Sequence, residues 1–107
     1  MKEIKENLDY IKTHHKEIYE SYEEYGKRIH TMGGPLDEKT RWLIKVAVSS
    51  VSEYPFALKT HIRKALAAGC TPEEIEHTIL MIAPSTGFPK MMEAIMIFRS
   101  SLDLTEA

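Results

Sequence analysis

The sequence predicts an all-α protein, a single-domain helical bundle of about five helices. Three observations carry that reading. Apolar residues near the amino terminus recur at alternating spacings of four and three, which sets them on one stripe of a helix. The run Gly69-Cys70-Thr71-Pro72-Glu73-Glu74 has the marks of one helix ending and another beginning. The β-branched run within Trp42 to Val51 has no second strand candidate to pair with, so helix is the remaining choice. With 107 residues the chain can bury one core but not two independent ones, which leads to one domain over 1–107.

The first helix is expected over residues 3–31, within an amino-terminal segment 1–32. Its stripe is Ile4, Leu8, Ile11, His15, Ile18, Tyr22, Tyr25 and Ile29, with His15 packing in the seam. The opposite face is charged, and Lys16 with Glu20 and Glu23 with Lys27 stand one turn apart, where opposite charges meet. The stripe suits packing against the body of a subunit or its neighbour, with a self-contained coiled coil as the alternative. Gly33, Gly34 and Pro35 break the helix, and the core of the protein is expected over 36–102.

Asp37 caps the second helix, whose run from Trp42 to Val51 is apolar nearly all round apart from Lys45 and two serines. A helix of that kind must be central. Pro55 suits the first turn of a third helix running to about Ala68, with Leu58, Ile62, Ala65 and Leu66 buried and His61 on the border of the stripe. Gly69 fits the left-handed position after a helix, and Thr71-Pro72-Glu73-Glu74 combines an N-cap, a proline at the first helical position and a glutamate at the third. The fourth helix, about Pro72 to Ala83, buries Ile75, Ile79 and Ile82. The fifth, about Pro89 to Leu102, is apolar on both faces, which predicts burial in the subunit and again in an oligomer contact. Met81, Met91, Met92 and Met96 are read as core filler.

Composition narrows the function. Hydrophobic residues make up 43%, charged residues 28%, and the net charge is −2, an ordinary soluble balance without the basic footprint that nucleic acid requires. No apolar run approaches the roughly 20 residues that span a bilayer, and the amino terminus has no apolar signal region. The expected location is cytoplasmic, with no membrane or nucleic-acid partner. One cysteine, Cys70, excludes an intrachain disulfide. It stands just before a helix N-terminus, where a thiolate is favoured, but has no resolving partner. His14, His30 and His77 form no convincing metal-ligand set with a Cys or carboxylate, so no metal is expected.

The run from Leu36 to Phe98 resembles the carboxymuconolactone decarboxylase family, which belongs with the alkyl hydroperoxidase D-like proteins. Three pieces carry the likeness: Leu36-Asp-Glu-Lys-Thr-Arg-x-Leu-Ile ahead of an apolar helix, His61-Ile-Arg-x-Ala-Leu-x-Ala-Gly-x-Thr-Pro-Glu-Glu-Ile-Glu, and Gly87-Phe88-Pro89 followed by Ala94. The resemblance implies an all-α subunit assembling into a homo-oligomer, from dimer to hexamer, with a pocket near His61 at a subunit interface. Hydroperoxidase-type members carry Cys-x-His-Cys-x-x-x-His. Its last histidine aligns with His61, which leaves Tyr54 and Ala57 at the cysteines, Phe56 at the inner histidine and Trp42 at about the position of the relay glutamate. Peroxide reduction needs a thiolate and a resolving thiol, so that chemistry is rejected. Decarboxylase-type members also lack the cysteines, and their Gly-Val-Pro turn is similar to Gly87-Phe88-Pro89.

The implied chemistry is that of a cofactor-independent lyase or isomerase on a small organic acid or lactone, with His61 as acid and base. The competing reading is a catalytically silent oligomeric relative with a binding or scaffold role. Tyr54 lies about 10 Å from His61 along the helix axis and leans away from it, so a partner for His61 has to come from another helix or subunit. Lys64, His77, Arg99 and the Ser85-Thr86 turn are the polar groups available.

Overall fold

The computed structural model describes residues 2–106, with side chains through residue 103. Among the described residues the fold is all α: α1 (Lys2–His14), α2 (Lys16–Met32), α3 (Glu38–Ser52), α4 (Pro55–Ala67), α5 (Pro72–Leu80), α6 (Ala83–Thr86) and α7 (Phe88–Glu106). The chain forms two compact units, residues 1–35 and 36–107.

The amino-terminal unit corrects the expectation of one long helix. The helix breaks at His15, whose backbone leaves the helical region at φ −134° and ψ 50°. The preceding residue makes a local contact at the break. The His14 ring stacks on Tyr10 at 4.2 Å between centroids, and its Nδ1 meets the Tyr10 carbonyl at 3.1 Å. A side chain that occupies the last carbonyls of a helix helps to terminate it. Hydrogen bonds from His15 N–H to the Ile11 carbonyl and from Tyr19 N–H to the His15 carbonyl, both 2.9 Å, carry the chain across the break. Lys16 and Glu20 pair at 3.8 Å and Glu24 and Arg28 at 2.6 Å, while Glu23 takes a hydrogen bond from Tyr19 that holds the phenol above its ordinary range. Neither helix buries a residue. Ile18, Tyr22, Tyr25 and Ile29 are all more than half exposed, and His15, expected to pack in the seam, is exposed as well.

The second unit holds the core. Val46 of α3, Leu58, Ile62 and Ala65 of α4, Ile75 and Ile79 of α5, and Met91, Ala94 and Phe98 of α7 are buried together with Cys70 and Ile82. Helix α3 packs against α4, α5 and α7, as its apolar sequence requires. Asp37 caps it by accepting from Thr40 N–H at 2.8 Å, and the turn after it is left-handed at Glu53, φ 58°. Pro55 then opens α4, because the residue before a proline is disfavoured in helix.

Helix α4 closes in a Schellman motif. Gly69 takes φ +97°, its N–H bonds the Leu66 carbonyl at 3.1 Å, and Cys70 N–H bonds the Ala65 carbonyl at 3.0 Å. Helix α5 starts in the expected capping box: Glu74 N–H to Thr71 Oγ1 at 3.1 Å, and Thr71 N–H to Glu74 Oε1 at 2.7 Å. It ends at Leu80, short of the expected Ala83, and residues 83–86 form a separate helical turn opened by Pro84. Gly87, at φ +108°, then turns the chain into α7. Of the methionines expected in the core only Met91 is buried. Met92 and Met96 are 50% and 62% exposed, since α7 is apolar on two faces and this unit covers only one, and Met81, at the end of α5, is 65% exposed.

Candidate functional site

The site is built on the face that α3 turns toward α4. Trp42, Lys45 and Ser49 are spaced by three and four residues, so they form one stripe on α3. His61 and Lys64, three apart, face them from α4. The Trp42 and His61 rings lie 6.0 Å apart between centroids at an angle of 42°. The Lys45 and Lys64 ammonium groups sit 5.6 and 5.8 Å from the centre of the Trp42 ring, within the range of a cation–π contact. Ser49 is only 3% exposed, and its Oγ meets His61 Nδ1 at 2.5 Å and donates to the Lys45 carbonyl at 2.8 Å. His61 itself is half-buried.

The partner for His61 therefore comes from another helix, as the spacing argument required, but it is a residue the sequence reading passed over. Ser49 looked like one of two small interruptions in an apolar run. Its signal was its place seven residues after Trp42, on the same helix face. Lys64, one of the available polar groups, is brought to the site, and Lys45 joins it. The others sit elsewhere. His77 is exposed on α5, and Arg99 is exposed on α7 beside Met92, Met96 and Asp103. Ser85 and Thr86 line a separate cavity of about 400 Å³ with Thr40, Leu43, Ala47 and Val51, on the opposite face of α3 from Trp42 and Ser49.

The redox positions carry no thiol. Tyr54 and Phe56, at the mouth of α4, are exposed, and Cys70 is buried at 4% with its Sγ against the Lys39 carbonyl at 3.6 Å. The thiolate favoured by a helix N-terminus is overruled here, because burial pushes the thiol up from its ordinary range and the Glu74 carboxylate adds to that shift. Among the described residues no group of three or more His, Cys, Asp or Glu gathers around one point as a metal ion would require. No helix among them is long and apolar enough to cross a membrane.

Comparison with known proteins agrees with this architecture. The model of the carboxymuconolactone decarboxylase family matches residues 16–100, from the start of α2 to within α7. The chain belongs to the carboxymuconolactone decarboxylase family. Within the family it is a member with a single cysteine. An uncharacterized protein of Methanocaldococcus jannaschii is 28% identical over 90 residues, covering 84% of this chain and 83% of that protein. An uncharacterized 15.0 kDa protein of Paracoccus denitrificans is 36% identical over 78 residues, covering 71% of this chain and 57% of its own length. A second Paracoccus denitrificans protein, uncharacterized and placed in a cox locus, is 38% identical over 50 residues, covering 47% of this chain and 45% of its own. This carboxymuconolactone decarboxylase family chain thus spans about half the length of the two Paracoccus relatives.

Proposed function

We propose that the protein is a cofactor-independent lyase or isomerase acting on a small organic acid or lactone, with His61 moving the proton. The observation that carries this reading is the gathering of His61 with two ammonium groups, Lys45 and Lys64, around one indole. A carboxylate or a developing enolate finds its counter-charge at the lysines, while the imidazole, with one ring nitrogen that can donate and one that can accept, can pass a proton. In a decarboxylation the bond to the carboxyl carbon breaks, carbon dioxide leaves, and the electron pair stays on the conjugated carbon framework. The imidazolium of His61 then gives its proton to carbon. In an isomerisation the neutral ring takes a proton from one carbon and returns it to another. Neither route needs a thiol, in keeping with Tyr54 and Ala57 at the redox positions.

The working unit in this proposal is a cytoplasmic homo-oligomer, from dimer to hexamer. Its support is the apolar surface left uncovered on both units, chiefly Ile18, Tyr22, Tyr25 and Ile29 in one and Val48, Met92 and Met96 in the other. One observation favours a second reading. The Trp42 ring packs beside His61, 6.0 Å between centroids, and packing of this kind suits a catalytically silent binding or scaffold relative. A thermal-shift screen against small organic acids and lactones, followed by turnover measurements on the hits, separates the two. His61→Ala is expected to abolish turnover and leave the oligomer intact, and equal activity in that variant would sink the catalytic reading.

A further inference from the structure

We infer that Ser49 is a positioning residue that holds His61 in the tautomer protonated on Nδ1, which makes Nε2 the nitrogen that exchanges protons with the substrate. The inference rests on the acid–base reading of His61 and adds which nitrogen acts and what selects it.

The argument is one of hydrogen-bond capacity. A serine hydroxyl has one proton to donate and two lone pairs with which to accept. The Ser49 hydroxyl touches two groups at once, the Lys45 carbonyl at 2.8 Å and His61 Nδ1 at 2.5 Å. A carbonyl oxygen can only accept, so the single Ser49 proton goes to Lys45. The contact with His61 is then a bond only if Nδ1 brings the proton, which leaves the lone pair of the neutral ring on Nε2. The opposite tautomer sets two lone pairs face to face, or takes the proton away from the Lys45 carbonyl. At 3% exposure for Ser49 there is little water to absorb either loss.

The helix supplies the orientation. Ser49 bonds back to the carbonyl four residues earlier in α3, a pattern that pins the side-chain rotamer, and Ser50 does the same to Val46 at 2.8 Å. The Ser49 rotamer is therefore held by α3 itself. The same geometry argues against Ser49 as a nucleophile: its proton is held by the backbone and its oxygen is buried. In this arrangement a neutral hydroxyl orients the ring. It fixes the tautomer without adding a negative charge beside the two lysines.

Nitrogen-15 NMR of the histidine-labelled full-length protein tests this without knowledge of the substrate, at a pH where the imidazole is neutral. The expected result is an Nδ1–H signature for His61 in the wild type and a shift toward the Nε2–H form, which a free histidine side chain prefers, in folded Ser49→Ala. An Nε2–H signature in the wild type overturns the inference on its own, whether or not the variant folds. An unchanged tautomer in folded Ser49→Ala overturns it too. Because the tautomer is read without turnover, it can be found as expected while His61→Ala proves fully active. That outcome would reject the proposed chemistry and leave the positioning by Ser49 standing.

Discussion

Neighbouring residues in α4 meet different surroundings. Ile62 is fully buried between α4 and its neighbours while His61, one position earlier, reaches the face shared with Trp42 and Ser49. Ile62→Ala removes packed methyl and methylene groups from the centre of the core and is expected to cost about 2–5 kcal/mol in chemical denaturation. His61→Ala leaves that core in place, so its loss is expected in turnover rather than in fold. Cys70 answers a separate question. Buried, and with its thiol held above the ordinary range by burial, it is expected to react with an alkylating reagent far more slowly in the native protein than in denaturant. Equal rates in the two states would show that the thiol is reachable and would reopen a redox role. The residue that completes the site, Ser49, was legible as a polar interruption of an apolar run, but nothing in the run itself said that a histidine twelve positions later would meet it.

At the scale of elements, the turn between α4 and α5 shows how much local chemistry decides. Gly69, Thr71, Pro72 and Glu74 set a helix stop and a helix start through bonds that reach no further than five residues, and Lys39 of α3 adds a single tie to Glu74 at 3.3 Å. Thr71→Ala is expected to cost about 0.5–2 kcal/mol by thermal or denaturant unfolding. The Glu74 carboxyl is held below its usual range, first by the Thr71 N–H and then by Lys39. A carboxylate depressed in the folded state stabilises it above the unfolded pKa, and that contribution is lost as pH falls through the folded value. Stability is therefore expected to decline on acidification below about pH 4.3, and Glu74→Gln should flatten that decline in melts taken across the range. Where elements were misread, a local contact stands at the difference. His14 stacks on Tyr10 and meets its carbonyl where α1 ends, one residue before a seam histidine that the spacing alone would have carried through. Pro84 opened a helical turn in a stretch that reads as a loop.

For the whole molecule, the distribution of apolar surface is the main unresolved demand of the sequence. A stripe that follows the four-three spacing from Ile4 to Ile29 buries nothing within its own unit, and α7 shows Met92 and Met96 to solvent after burying Met91 and Phe98. The proposed homo-oligomer would cover these open apolar faces with further copies of the chain. Sedimentation across a concentration series is expected to show a species of two to about six chains, following the oligomer range proposed above. Met96→Glu, which places a charge on the open face of α7 without touching the core, is expected to shift that distribution toward monomer. A monomer at all concentrations in the wild type would refute the homo-oligomer.

Sequence alone determined the helical class, the boundaries at Asp37, Pro55, Gly69 and Thr71, and the buried stripe from Leu58 to Ile79. Each of these follows from periodicity or from hydrogen bonds closed within about one helical turn, so the information lies within a few residues of where it acts. It also pointed to the family, which the match over residues 16–100 shows. Only the tertiary structure decided what His61 faces, since the pairing of Ser49 with His61 and the clustering of Lys45, Lys64 and Trp42 depend on how α3 lies across α4. That packing is set by the volumes of Val46, Leu58, Ile62 and Ala65 together, and no single stretch of the chain contains it.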